Sequence, residues 1–166
     1  LGRIQGGRYM VMSCKEDGGV LIILDVVDKS LSTVKIDDLF PGAIIGIGDH
    51  IVGYGKSDAD GPIIYKMDPL TKTMIWKTKV PEGPTTATAS VRDHEYIKTY
   101  DGKKHVYFNV GDYLVRADVD SGAGEVLGEL PSRHAIHITE NGEIFQAGGH
   151  KGTKKGFTRL ILPDSP

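Results

Sequence analysis

The feature that most constrains this chain is that it repeats. The run Gly61-Pro62-Ile63-Ile64-Tyr65-Lys66-Met67-Asp68, a short Thr/Lys turn and then Met74-Ile75-Trp76-Lys77 reads as two antiparallel strands joined tightly. The same order of apolar strand, aspartate, polar turn and second strand surrounds residues 19–34, marked by Asp25, and residues 111–128, marked by Asp118. These markers lie 43 and 50 residues apart, and a fourth copy without its aspartate spans residues 156–163. A period of that size belongs with four-stranded propeller blades.

The first unit places strands at residues 8–14, 20–26 and 32–36. The second places them at 43–47, 50–54, 62–67 and 74–80. The third opens at 86–91 or 95–99 and continues through 105–109, 113–117 and 125–129, and the fourth comprises 135–139, 143–147 and 157–162. Isoleucine, valine, tyrosine and threonine dominate these runs, and branched or ring side chains suit a pleated face. The 22 glycines fall between the runs, as turns need. Helix is almost absent from this reading; the best helical candidate is residues 36–40, which Pro41 and Gly42 end within one or two turns. The expectation is an all-β chain, a partial β-propeller of about three to four antiparallel blades; a compact β-sandwich or barrel is the alternative.

With 166 residues the chain suits one domain, read as residues 1–166 of a single propeller-like unit or as a fragment of a longer propeller. A ring of fewer than four full blades leaves sheet edges unpaired, and residues 8–14 and 157–162 are the edges expected. Self-association or the remainder of a longer chain would cover them, and the start at Leu1 without methionine agrees with the second. The formal charge of −2 gives no attraction to nucleic acid or to anionic membrane. The longest apolar run, Val20 to Leu24, is far below the roughly 20 residues a membrane-spanning helix needs. No nucleic-acid or membrane partner is expected. Cys14 is the single cysteine, so no intrachain disulfide forms and the compartment stays open; its alternating setting suits a buried, inert thiol.

The segment from Ile64 to Trp76 resembles the PQQ-like repeat of quinoprotein-type propellers, with Asp68, Thr71 and Trp76 in the positions of that repeat's aspartate, turn residue and tryptophan. The resemblance implies a propeller in which Trp76 packs between neighbouring blades. The third unit is similar through Asp118, Asp120, Ser121 and Gly122 but lacks the tryptophan, and the first keeps only Asp25. Such repeats occur in propellers without a quinone, and no cofactor is expected here.

Three of the six histidines fall in the last quarter of the chain. His134, His137 and His150 form the candidate set for a divalent metal, joined by His50, His94 or His105 if the blades converge on an axis. On an extended strand His134 and His137 point to opposite faces, so one metal would need a bend between them. Asp58-Ala59-Asp60-Gly61 and Asp118-Val119-Asp120-Ser121-Gly122 have alternating aspartates beside glycine, but without the terminal glutamate of a calcium loop they read as Asx turns. The Gly148–Gly156 stretch lacks phosphate-loop order, Gly46-Ile47-Gly48 lacks the third glycine of a dinucleotide fingerprint, and Gly-x-Ser-x-Gly does not occur. The pattern favours a non-catalytic scaffold or interaction module. The alternatives are a propeller enzyme with axial histidines on a metal and a polysaccharide-active enzyme using carboxylates.

Overall fold

The structure is a computed structural model and describes residues 1–14, 19–80, 97–100, 103–110, 112–130, 136–139, 143–147 and 156–161. It is all-β, with four separate antiparallel sheets following one another along the chain. Sheet 1 contains β1 (Gly2–Ile4), β2 (Tyr9–Cys14), β3 (Val20–Asp25) and β4 (Ser30–Lys35), and sheet 2 contains β5 (Phe40–Ile47), β6 (His50–Ser57), β7 (Gly61–Asp68) and β8 (Thr73–Lys79). Sheet 3 contains β9 (Ile97–Tyr100), β10 (Lys103–Val110), β11 (Tyr113–Asp118) and β12 (Gly124–Glu129); sheet 4 contains β13 (Ile136–Ile138), β14 (Ile144–Ala147) and β15 (Phe157–Leu160). Within every sheet each strand pairs with the next in sequence, the meander of a propeller blade.

Strand alternation explains how the sheets stack. On β7, Ile63, Tyr65 and Met67 enter a core shared with Ile4, Val11, Leu21, Ile23 and Val34 of sheet 1. Their neighbour Ile64 points the other way, into a second core with Val106, Phe108, Val115 and Ala117 of sheet 3. Tyr107 and Leu114 in turn leave the opposite face of sheet 3 to meet Ile136 and Ile144 of sheet 4. Three cores in series thus hold four sheets face to face, and a fully buried aliphatic side chain in them contributes about 1.5–3 kcal/mol. This serial stacking is that of a partial propeller.

The inner strands approach most closely. A Cβ on Gly46 of β5 would lie 1.9 Å from the Arg3 carbonyl oxygen, and one on Gly2 of β1 would lie 2.9 Å from the Gly46 nitrogen. Only two residues without side chains allow backbone to meet backbone here. Just beyond, the Gln5 N–H donates to the Gly48 carbonyl at 2.9 Å.

Two expectations need correction. Residues 36–40 form no helix: Asp38 turns into the left-handed region at φ 54°, and β5 starts at Phe40. The only helical turn among the described residues is a 3₁₀ turn at Gln5–Gly7. The strand over residues 8–14 is not an edge, because β2 is paired on both sides, with β1 and β3. Among the described residues β15 pairs only with β14, in line with the edge expected there, while the opening strand considered at residues 86–91 lies outside the described residues.

Candidate functional site

The three marker aspartates close their third strands in one geometry. Asp25 Oδ1 accepts the N–H groups of Val27 and Asp28 at 2.9 and 3.0 Å, and Asp68 Oδ1 accepts those of Leu70 and Thr71 at 2.8 and 3.2 Å. Asp118 Oδ1 accepts those of Asp120 and Ser121 at 3.0 and 2.7 Å. Four residues after each aspartate the chain enters the left-handed region, at Lys29 (φ 52°), Lys72 (φ 61°) and Gly122 (φ 74°). The aspartates are therefore turn locks. The Asp28 N–H holds the Asp25 carboxyl down to about 2, against the cost of burial and helped by the Arg8 guanidinium at 2.9 Å. Hydrogen bonds from Ser121 likewise hold Asp118 below the usual carboxylate range.

The other acidic loop is organised from outside itself. Asp38 Oδ1 accepts the N–H groups of Asp58 and Ala59, and Oδ2 accepts the Ser57 hydroxyl at 2.6 Å. Lys77 lies 2.7 Å from Asp60 and 3.7 Å from Asp38. Both carboxylates face an ammonium group that does a cation's work. Beside them a groove of about 430 Å³ runs between the outer strands of sheets 1 and 2, with Lys35, Lys72 and Lys77 around Leu39 and Met74.

Sheets 2 and 3 are bolted together at Trp76. Its indole N–H donates to the Val119 carbonyl at 3.1 Å, and Lys66 Nζ donates to the same oxygen at 3.1 Å. The ring lies against Gly122, where a Cβ would come within 2.7 Å of it. Trp76 is half-buried, so it packs between sheets as the sequence implied but keeps part of its surface in solvent.

Of the candidate metal residues, His137 is on β13 with its side chain exposed, in register with Phe145, which is in register with Arg159. His134 and His150 lie outside the described residues, as does His94. His105 is buried on β10 opposite Asp118, and His50 opens β6 half-buried. Among the described residues no group of three or more histidine, cysteine or carboxylate side chains is disposed to hold a metal ion.

A feature that sequence reasoning missed is the flank of sheet 1. Counting back from the marker aspartate, the residues one and three places earlier are Met67 and Tyr65 in sheet 2 and Ala117 and Val115 in sheet 3, all fully buried by the preceding sheet. Their equivalents in sheet 1 are Leu24 and Ile22, half-buried, with Met10 and Met12 beside them in register. Leu31, across from Leu24, is 64% exposed, and Val26 is 46% exposed where its counterpart Val119 is 2%. Cys14 is also half-buried here, opposite Val20. The signal lay in Val20-Leu21-Ile22-Ile23-Leu24, because a strand apolar at every position is built to be covered on both faces.

Four meandering sheets stacked in series through alternate side chains define an all-β, propeller-like protein. A crystal structure of TolB from Acinetobacter baumannii superposes with a TM-score of 0.58 at 16% identity, over 99% of this chain and 41% of that one. The likeness is one of fold, and the chain spans less than half the length of the TolB chain it matches. Neither a scan against protein-family models nor a search of curated proteins finds a match. No helix among the described residues is long and apolar enough to cross a membrane.

Proposed function

We propose that this chain is a non-catalytic propeller scaffold, an interaction module whose open sheet flank engages a protein partner. The observation that carries this reading is the flank of sheet 1, apolar at positions whose equivalents in sheets 2 and 3 are buried under a neighbouring sheet. The unit is one propeller-like domain over residues 1–166, completed by self-association or by the remainder of a longer chain. Descent from PQQ-like repeats fits the roles of Asp68 and Trp76, one locking a turn and the other packing between sheets. The carboxylates described above are engaged in turns and ion pairs, which favours scaffold over acid–base chemistry.

The competing reading is an enzyme with a metal held by His134, His137 and His150. Elemental analysis of purified protein, alongside His137→Ala and a screen for hydrolysis of glycans and esters, separates the two. The scaffold reading expects no stoichiometric metal and no turnover. Zinc, copper or iron at one per chain that is lost in His137→Ala, or turnover lost with it, would replace this reading with the enzyme.

A further inference from the structure

We infer that the outer edge of sheet 1, strand β4, is the docking site for an extended segment of a partner protein, which adds to the sheet as a further strand and carries acidic residues at its ends. This rests on the interaction-module reading and gives it a surface separate from the apolar flank. Neighbouring sheets in the series meet face to face, so a further sheet laid on the flank leaves this edge open.

The outer strands of sheets 1, 2 and 3 are finished differently. Beside β8 the ladder is broken by a bulge between Lys66 and Met67, and β8 itself carries Lys77 and Lys79. Beside β12 a bulge falls between Leu114 and Val115, and β12 carries Glu125 and Glu129. Bulges and charges within the strand keep an edge from pairing with another chain. β4 is regular instead: it pairs with β3 in unbroken register, and its one charge is Lys35 at its end. The Val26 N–H donates to the Arg8 carbonyl, so on β3 the bonds to β2 fall to Leu24, Ile22 and Val20, and those to β4 fall to Asp25, Ile23 and Leu21. Ser30, Ser32 and Val34 therefore bond to β3, while Leu31, Thr33 and Lys35 turn their N–H and C=O groups outward. Among the described residues no strand pairs with that outer side.

The charges at the ends of this row choose the occupant. Lys29 precedes β4 and Lys35 ends it, both exposed, and Lys72 stands with Lys35 in the groove. Asp28 is held by Arg8, and Asp38 and Asp60 by Lys77, which among the described residues sets Asp37 against Lys29, Lys35 and Lys72. Antiparallel pairing of β4 with its own image sets Lys35 across from Ser30 and gathers the lysines of both strands, so a second copy is repelled. A strand with acidic ends meets those lysines favourably. An edge permanently covered by its own chain needs no such guard against its image, so the occupant is a segment of another protein, held by main-chain bonds and selected by its ends.

The probe is a fluorescein-labelled peptide of about eight residues, long enough to span β4, with alternating threonine and valine and an aspartate at each end. Fluorescence anisotropy is expected to show saturable binding below about 1 mM. Thr33→Pro removes one outward N–H without touching the ladder to β3, and is expected to weaken binding about tenfold, the contribution of one backbone hydrogen bond. Lys29→Glu/Lys35→Glu is expected to reject this peptide and to bind the same sequence ended by lysines. Met12→Glu, on the flank, is expected to bind as the wild type does. Circular dichroism checks that each variant keeps its β signature. If Thr33→Pro loses it, wild-type chain is tested with peptides N-methylated at alternate residues, of which one set is expected to bind and the other not. The inference is overturned by a wild type that does not bind in this range, by equal binding to Thr33→Pro, or by binding lost in Met12→Glu and kept in Thr33→Pro, which moves the contact to the flank. Wild-type self-association in light scattering that Thr33→Pro abolishes, with no peptide bound, also overturns it, in favour of β4 pairing with a second copy. None of these outcomes depends on metal content or turnover, so a failure here leaves the scaffold reading to be judged by its own assay.

Discussion

At the scale of single residues the aspartate locks do more than mark a period. Asp25 has its carboxyl held near 2, below its ordinary value of about 3.9. The unfolded chain therefore binds a proton in this window that the folded chain refuses, and stability rises with pH there. The contribution is fully present above about pH 4 and is lost as the pH falls towards 2. Asp25→Asn is expected to flatten the acid limb of a urea-midpoint curve between pH 4 and 2; an unchanged limb would assign the acid sensitivity to other groups. Tyr65 is a different case. Its hydroxyl is fully buried and finds no hydrogen-bond partner among the described residues, and burial pushes its pKa far up. Tyr65→Phe is expected to stabilise the fold by about 1 kcal/mol, since an unsatisfied buried hydroxyl costs that much or more. A fall in the denaturation midpoint would show that the hydroxyl is needed.

At the scale of elements, the strands and their turns were largely legible because alternation and the Asp-plus-turn pattern act over a few residues. Sheet 2 appeared in the sequence with all four strands. What was not legible depended on distant partners. β1 has three residues, too few to show a period, and exists because Gly2, Arg3 and Ile4 pair with Val11, Met10 and Tyr9. The helical candidate at residues 36–40 loses to a turn whose Asp38 carboxylate is committed to a loop some twenty residues away. Trp76 packs between sheets, as the resemblance implied, but is only half-buried. A bulge between Lys66 and Met67 places it opposite Lys66 and turned towards sheet 3, half-covered. Trp76→Ala is accordingly expected to cost about 2 kcal/mol, below the 3–5 kcal/mol of a fully buried ring. Its fluorescence should be partly quenchable by iodide in the native state; complete protection would mean deeper burial than described.

At the scale of the whole molecule, stability is distributed along a line. Sheets 2 and 3 are covered on both faces, whereas sheets 1 and 4 share one core each. Hydrogen exchange is expected to be slowest in β6, β7, β10 and β11 and fastest in β13 to β15, since local opening needs less apolar surface exposed at the ends of such a series. Uniform protection across all four sheets would indicate a single cooperative unit. The histidine set was the least legible part, since spacing along a chain does not report convergence between blades. The contact between Gly2 and Gly46 has a consequence for the size of any complete ring. Where two neighbouring sheets touch at their inner strands, substitutions in the bulkier side chains farther out, such as Met74 and Leu39 in the groove between them, are expected to change how wide the wedge opens. Curvature is then a property that substitutions at the rim can tune without touching the axis, and the number of sheets needed to come full circle follows from the volume of a few outer residues.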